Sequence, residues 1–215
     1  MHATVLKKIK RTIKKIVRFS IYERNEAYWY RRNLLDDIPE LDINLTIDLS
    51  LHNASETIDW LKSFVEPWMY NEKEIRIGLK EKHYFANAKI DDVIIAYSKV
   101  GFNRVYIDDY RMIVDLPKRV SVLYHIYVLR EHRKNNVAKY LLSKLLSELK
   151  ENNFVSMCCQ IAIWNKASIG LFSSLGFKRI AHVKFFKLFG VLRFWLIKKE
   201  DENRFALTTH FSVFS

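Results

Sequence analysis

The segment Val128–Lys150, VLREHRKNNVAKYLLSKLLSELK, restricts the fold more than any other part of the chain. It opens as the end of an apolar strand, VSVLYHIYVL, and closes as an amphipathic helix. Val137, Leu141, Leu142, Leu145, Leu146 and Leu149 recur at helical spacing along one side of that helix. The turn between them, REHRKNN, carries Arg130, Arg133 and Lys134 and has neither glycine nor proline. A helix start exposes unpaired backbone N–H groups and the positive end of the helix dipole. Cations gathered there imply a seat for an anion.

The flanking segments supply a sheet for this unit to join. LDINLTIDLSL alternates apolar and polar residues as a half-buried strand does, and Asn53 with Glu56 forms a capping box for a helix running to about Val65. NEKEIRIGLKEK reads as a second short helix. HYFANAKI and DVIIAYSKVGF read as strands joined at Asp91-Asp92, and NRVYIDDYRMIVDLPK as a hairpin or lid with Asp108 and Asp109 at its tip. After the central helix come a buried strand, SMCCQIAIW, a short helix, KASIGLFSSL, closed by Gly176, and a strand, FKRIAHVKFFKLF. Residues 191–198 and 204–214 are expected to complete the sheet. The order predicts a mixed α/β layer on one sheet.

The 215 residues divide into a leader and connector, 1–38, and a domain, 39–215. Residues 1–20 hold seven Lys/Arg and no acid, which supplies +7 of the formal +12. Val5, Leu6, Ile9, Ile13, Ile16 and Val17 fall on the other side of a helical wheel. Such a helix suits an anionic membrane surface, docking on its own domain, or nucleic acid. The aromatic-rich stretch YERNEAYWYRRNLLDDIPE reads as a packed connector. Cys158 and Cys159 are adjacent, without metal-ligand spacing, and read as strand packing in a reducing compartment. No apolar run reaches the ~18 residues that span a bilayer. The expected location is cytoplasmic, with membrane association through the leader.

The anion seat lacks the glycines of the P-loop and dinucleotide loops. It resembles instead the pyrophosphate-binding signature of the GNAT-type N-acetyltransferases, in which a strand ending in Val leads through Arg/Gln-x-x-Gly-x-Gly/Ala into a helix. The matching residues are Val128 and then Arg133, Lys134, Asn135, Asn136, Val137 and Ala138. A second block, IAIWNKASIGLFSSLGFKR, resembles the later motif of the same family at Asn165, Ser168, Phe172, Gly176 and Phe177. The resemblance covers about residues 94–188. It implies a mostly antiparallel central sheet flanked by helices, with a central strand pair that splays, and acetyl-CoA as cosubstrate. On that resemblance Ile126 and Val128 offer main-chain groups to the pantetheine arm, Arg133 to Lys139 hold the pyrophosphate, and Asn165 bonds the arm.

Two positions depart from the family pattern. Asn136 replaces a glycine, and Asn tolerates left-handed backbone geometry better than most residues. Phe172 replaces a tyrosine that often protonates the leaving thiolate. His125, on the central strand, is the candidate general base, since histidine changes charge near neutrality; the competing reading is a satisfied core histidine. Tyr124 and Tyr127 are expected on the face opposite His125. Asp108 and Asp109 either attract a cationic amine or form a solvated hairpin tip. The leading expectation is an N-acetyltransferase for a small primary amine, such as an amino sugar or a membrane-proximal acceptor. The alternatives are a GNAT-fold binding or scaffold protein without efficient catalysis, and a nucleic-acid binder. Against the last, the leader owns most of the positive excess and no nucleic-acid motif is present.

Overall fold

The computed structural model describes residues 22–39, 41, 48–50, 54–63, 70–189, 191–202, 204, 206–208, 210–211 and 213–214. The basic leader, residues 1–20, with its expected membrane or docking role, lies outside the described residues, as do Asn53 and most of the strand expected over 41–51. The chain forms two compact units. Among the described residues, one takes in 22–29 and those of 180–213, the other those of 30–179 and Phe214.

In the larger unit the strands are β2 (Asp48–Ser50), β3 (Tyr84–Ile90), β4 (Val93–Phe102), β7 (Val120–Val128) and β8 (Ser156–Ala162), in the order β8–β7–β4–β3–β2. The first three pairings from β2 are antiparallel, and β7 with β8 is parallel. The sheet is therefore mixed and mostly antiparallel. Between β3 and β4 the chain turns at Asp91 and Asp92, both with positive φ (49° and 64°). That is the geometry a two-residue hairpin of matching twist requires. β5 (Arg104–Ile107) and β6 (Met112–Asp115) form a separate hairpin, with a 3-10 turn at Asp108–Tyr110.

Helices cover both faces of this sheet. α1 (Ala54–Ser63) and α2 (Glu72–Lys80) meet the face that carries Phe85 and Tyr97, through Ile58, Leu61 and Ile75. α3 (Val137–Glu151) packs on β7 and β4. It belongs to the other face, where its Glu148 lies near Tyr84, and Phe102 meets Phe154 with ring centroids 5.2 Å apart. All five leucines expected to point inward from α3 are fully buried, each contributing about 1.5–3 kcal/mol. α4 (Lys166–Ser174) follows β8 and ends at Leu175 and Gly176.

The smaller unit is a meander, with β9 (Lys178–Leu188, mostly in this unit), β10 (Leu192–Lys199) and β11 (Ala206–Thr208) pairing antiparallel in turn. Residues 22–33, read from sequence as a connector, are in fact the strand β1 (Tyr22–Asn33), whose first part adjoins β9 here. Charged residues hid it. Glu26 sits on this strand with its carboxylate 2.8 Å from His182 Nε2 and 3.7 Å from Lys184 Nζ, so the polar positions are occupied by ion pairs rather than by solvent.

Gly176 has a φ of +78°, and a Cβ there would run into the guanidinium of Arg32, itself buried. Gly176→Ala should therefore cost about 1–3 kcal/mol from backbone strain and crowding together. A urea denaturation midpoint indistinguishable from that of the parent protein would show that the turn is not constrained in this way.

Candidate active site

The parallel pairing of β7 with β8 runs only from Val120↔Ser156 to Leu123↔Cys159. Both strands continue, β7 to Val128 and β8 to Ala162. Where pairing stops, Tyr124, His125, Ile126 and Tyr127 become half-exposed in a strand otherwise buried. The splay expected from the family resemblance is thus a local loss of hydrogen bonding between two central strands. It leaves the edge of β7 at Ile126, which faces away from β4, without the β8 strand that a continuous sheet would have set beside it.

Beyond this opening lies the anion seat. Arg133 closes the 3-10 turn after β7, Lys134 has φ 67°, and Asn136 sits at the start of α3 with φ 57° and ψ 8°. Asn136 thus takes the left-handed conformation that the family's glycine would take, and its side chain does not cap the helix. Alternating left-handed residues turn successive N–H groups toward one point, as anion-binding nests do. A cavity of about 470 Å3 opens there, lined by Val128, Arg133, Lys134, Asn136, Val137, Ala138 and Lys139 on one side and by Ala167, Gly170, Leu171 and Ser174 of α4 on the other. His132 completes it. Arg133 Nε donates to Val128 O at 2.9 Å and the guanidinium lies 5.2 Å from the centre of the Tyr127 ring. This carbonyl of Val128 already has a donor, so Ile126 is the stronger candidate for a main-chain contact to an arm.

Several expected site residues fall elsewhere. Asn135 is exposed and outside the lining. Asn165 is the N-cap of α4, and its Oδ1 accepts from Ser168 N at 3.1 Å. That bond satisfies one of the helix's orphan donors, so the Asn–Ser pair has a local structural job. Neither residue lines the cavity. Phe172 is buried edge-on to Phe177, 5.1 Å between centroids, and is likewise absent from the lining. The α4 residues that do face the cavity, Ala167, Gly170, Leu171 and Ser174, are small or aliphatic. They gave no sequence signal beyond helical spacing.

On the α1/α2 face lies a charge cluster that sequence reasoning missed. Glu74 of α2, 3% exposed, pairs with Lys99 of β4, 1% exposed, and its Oε2 lies 3.7 Å from His125 Nε2. Burial by itself would raise the Glu74 carboxyl, but the neighbouring His125 and Lys99 outweigh it and hold the carboxyl below the ordinary carboxylate range. Asn71 aims the helix, accepting from Lys73 N and Glu74 N through Oδ1 and donating through Nδ2 to Asp108 at 2.7 Å. Gln160, on the unpaired end of β8, donates to Asp109 at 2.6 Å. The hairpin tip is therefore tied to both sides of the opening.

The expected alternation of β7 fails at a bulge. Lys99 stands opposite His125 but Val100 opposite Leu123, so Tyr124 is the extra residue. Its ring lies over Gly101 and its hydroxyl 3.3 Å from His83 Nδ1, on the same face as His125. Tyr127, opposite Tyr97 and packed on it, shares that face as well. The opposite-face expectation is corrected for both tyrosines. Burial pushes the Tyr124 and Tyr97 hydroxyls up, so both remain neutral donors. It raises the thiols of Cys158 and Cys159 too, which fits their role as strand packing.

The family model described as the acetyltransferase (GNAT) family matches residues 51–177. The chain belongs to this family, whose members use acetyl-CoA and transfer acyl groups to amines. Among solved structures, a GCN5-related N-acetyltransferase from Sphaerobacter thermophilus superposes with a TM-score of 0.57 at 10% identity, over 83% of this chain and 56% of that one. A Drosophila protein gives 0.54 at 13%, over 85% and 58%. The glucosamine N-acetyltransferase region of a fungal multi-domain β-N-acetylglucosaminidase gives 0.54 at 14%, over 79% and 22%. These likenesses establish the shared fold, and the chain spans little more than half the length of the first two proteins. No curated protein matches the sequence.

Removing one member of the Glu74–Lys99 pair leaves a buried charge without its counter-charge, so Glu74→Gln should cost about 3–5 kcal/mol near neutrality. The folded Glu74 titrates below its ordinary value of 4.5, so its contribution is present above that pH and lost as pH falls through the folded value. His83, held below its ordinary 6.5 by burial, acts in the same direction. Denaturation at stepped pH should show stability declining below about 6.5 and more steeply below 4.5, with the second phase reduced in Glu74→Gln to the part that Glu26 contributes. An unchanged second phase would assign the acid sensitivity to other carboxylates.

Proposed function

We propose that this protein is an acetyl-CoA-dependent N-acetyltransferase acting on a small primary amine that arrives as a cation. The observation that carries the reading is the parting of β7 from β8 between two different environments. One is a cationic cavity at the start of α3, the other a face bearing His125 and Glu74. The residues present suit coenzyme A. Arg133, Lys134 and Lys139 bring positive charge to a helix start whose side-chain cap position is unused, which fits a pyrophosphate. Half-exposed Ile126 lies where the arm would pass between the strands. Bound there, acetyl-CoA would supply the acyl group: the C–N bond to the amine forms as the C–S bond breaks, and the coenzyme A thiolate leaves and takes up the proton released from the amine by way of water, since Phe172 has none to give.

The remaining steps belong to the chain. Asp108 and Asp109, exposed at the hairpin tip and tethered to Asn71 and Gln160, put negative charge at the rim and favour an ammonium group. An amino sugar is one such amine. The Glu74 carboxylate lies 3.7 Å from His125 Nε2 and orients the ring, and the imidazole is the group that takes a proton from the amine. A proton taken from the ammonium leaves a nucleophilic amine, and the Glu74 carboxylate stabilises the imidazolium that results. Glu74 is in this respect a positioning residue. Holding amine and thioester in one geometry supplies much of the remaining rate.

One specific observation favours a second reading, a fold retained for binding without chemistry. Phe172 stands where many relatives carry a proton-donating tyrosine, and its buried ring has no proton to give. That reading predicts coenzyme A binding with no turnover of any amine.

Three outcomes test the enzyme. Replacing both Arg133 and Lys134 with Glu should raise the calorimetric Kd for coenzyme A at least tenfold, with the melting temperature held. His125→Gln should lower kcat about 10²–10⁴-fold while leaving that Kd unchanged. Asp108→Asn with Asp109→Asn should raise KM for the amine and not for acetyl-CoA. A His125→Gln enzyme with nearly full kcat would remove histidine from the chemistry.

A further inference from the structure

The hairpin of β9 and β10 ends in side chains that the fold itself does not use. Its strands close at Leu188↔Leu192, with Val191 N donating to Leu188 O at 3.1 Å. At the tip Phe189 is 65% exposed, Val191 73% and Leu192 49%. Phe189 also has a φ of +51°, a left-handed conformation that bulky side chains adopt with strain and that Gly or Asn would take at lower cost. An aromatic ring held in an unfavourable conformation and left in water gains little from its own protein. Its use lies outside the chain.

The neighbouring charge indicates what it meets. One register step below the tip, Lys187 and Arg193 stand directly opposite each other across the strands. Two cations side by side at one level of the hairpin favour an anionic surface over a neutral one. These two cations are the ones the register places next to the apolar tip. An apolar tip followed by a cationic collar matches the layering of an acidic bilayer surface, hydrocarbon first and headgroup phosphate above it. A second copy of the chain would bring the same collar against this one, cation to cation. A nucleic acid would satisfy the collar and leave three apolar side chains in water.

We propose that Phe189, Val191 and Leu192 dip into the interface of an anionic membrane, with Lys187 and Arg193 at headgroup level. These residues are not among those of the acyl-transfer site, and binding through them would hold the enzyme where amines on lipid-linked or surface-bound molecules occur.

The two cysteines of the chain, Cys158 and Cys159, are buried, so a thiol-reactive dye can be placed at the tip of the full-length protein through Val191→Cys. With vesicles of phosphatidylcholine and phosphatidylserine the dye should shift to the blue and brighten at least twofold, an effect reduced by salt. Phosphatidylcholine alone should leave it unchanged. Adding Lys187→Glu and Arg193→Glu should weaken vesicle affinity about 30-fold or more, from about 1 kcal/mol per lost cation. Sedimentation with acidic vesicles and no change in the dye would overturn the proposal and assign binding to another surface. Failure to sediment, or an affinity unaffected by the charge reversals, would overturn it also. A blue shift that grows with protein concentration in the absence of vesicles would replace the membrane with a second copy. Matched melting temperatures confirm that the variants are folded.

Discussion

A parallel strand pair ordinarily uses every main-chain group between its strands, and β7 and β8 do not. Their pairing ends at Leu123↔Cys159 with several residues of each strand still to run. The consequences spread outward. The half-exposure of residues 124–127, the placing of α3 at the end of β7 and the tethering of the β5–β6 tip by Gln160 all follow the edge of that gap. Unpaired central backbone is expensive in a buried sheet. A ligand arm lying in the gap would supply partners that the chain withholds, which is why the fold and the proposed cosubstrate are parts of one argument.

The second constraint is electrostatic. Lys99 lies in a buried strand and Glu74 in a buried helix face, and together they place a carboxylate beside His125. Such a pair is a poor way to gain stability, since apolar residues of similar volume often do as well or better. It does fix the position of a carboxylate to within one arrangement, and it keeps that carboxylate ionised under conditions in which burial alone would neutralise it. The cost in stability and the orientation of His125 are two results of the same burial.

Much of this was legible in the residues. The leucine spacing of 137–149 gave α3 and the Asp91-Asp92 pair gave a hairpin turn, both from local chemistry that the fold leaves intact, while the left-handed start at Asn136 followed from the family resemblance that puts a glycine there. The failures share a cause. β1 was hidden because Glu26 and its cations form pairs visible only once strands distant in sequence meet. The face of Tyr124 was lost to a bulge, whose single extra residue reverses alternation. Within α2 the sequence does not separate Glu74, which is buried, from Leu79, which is half in solvent. The one available clue was Lys99, a cation in an otherwise apolar strand that required a carboxylate somewhere. Asn165, which the resemblance gives to the arm, also caps α4 through its Oδ1, a local role that its position before a helix marks.

The claim that matters most is that coenzyme A occupies the gap as well as the cavity. A two-dimensional amide NMR titration of the full-length protein with coenzyme A reads both at once. The account predicts saturable shifts at residues 133–139 together with shifts at residues 124–128, and slowed solvent exchange of the Ile126 amide as the arm takes up the open backbone. Shifts confined to residues 133–139, with the strand amides unmoved at saturation, would contradict it. They would reduce the site to an anion seat beside a gap that no cosubstrate enters.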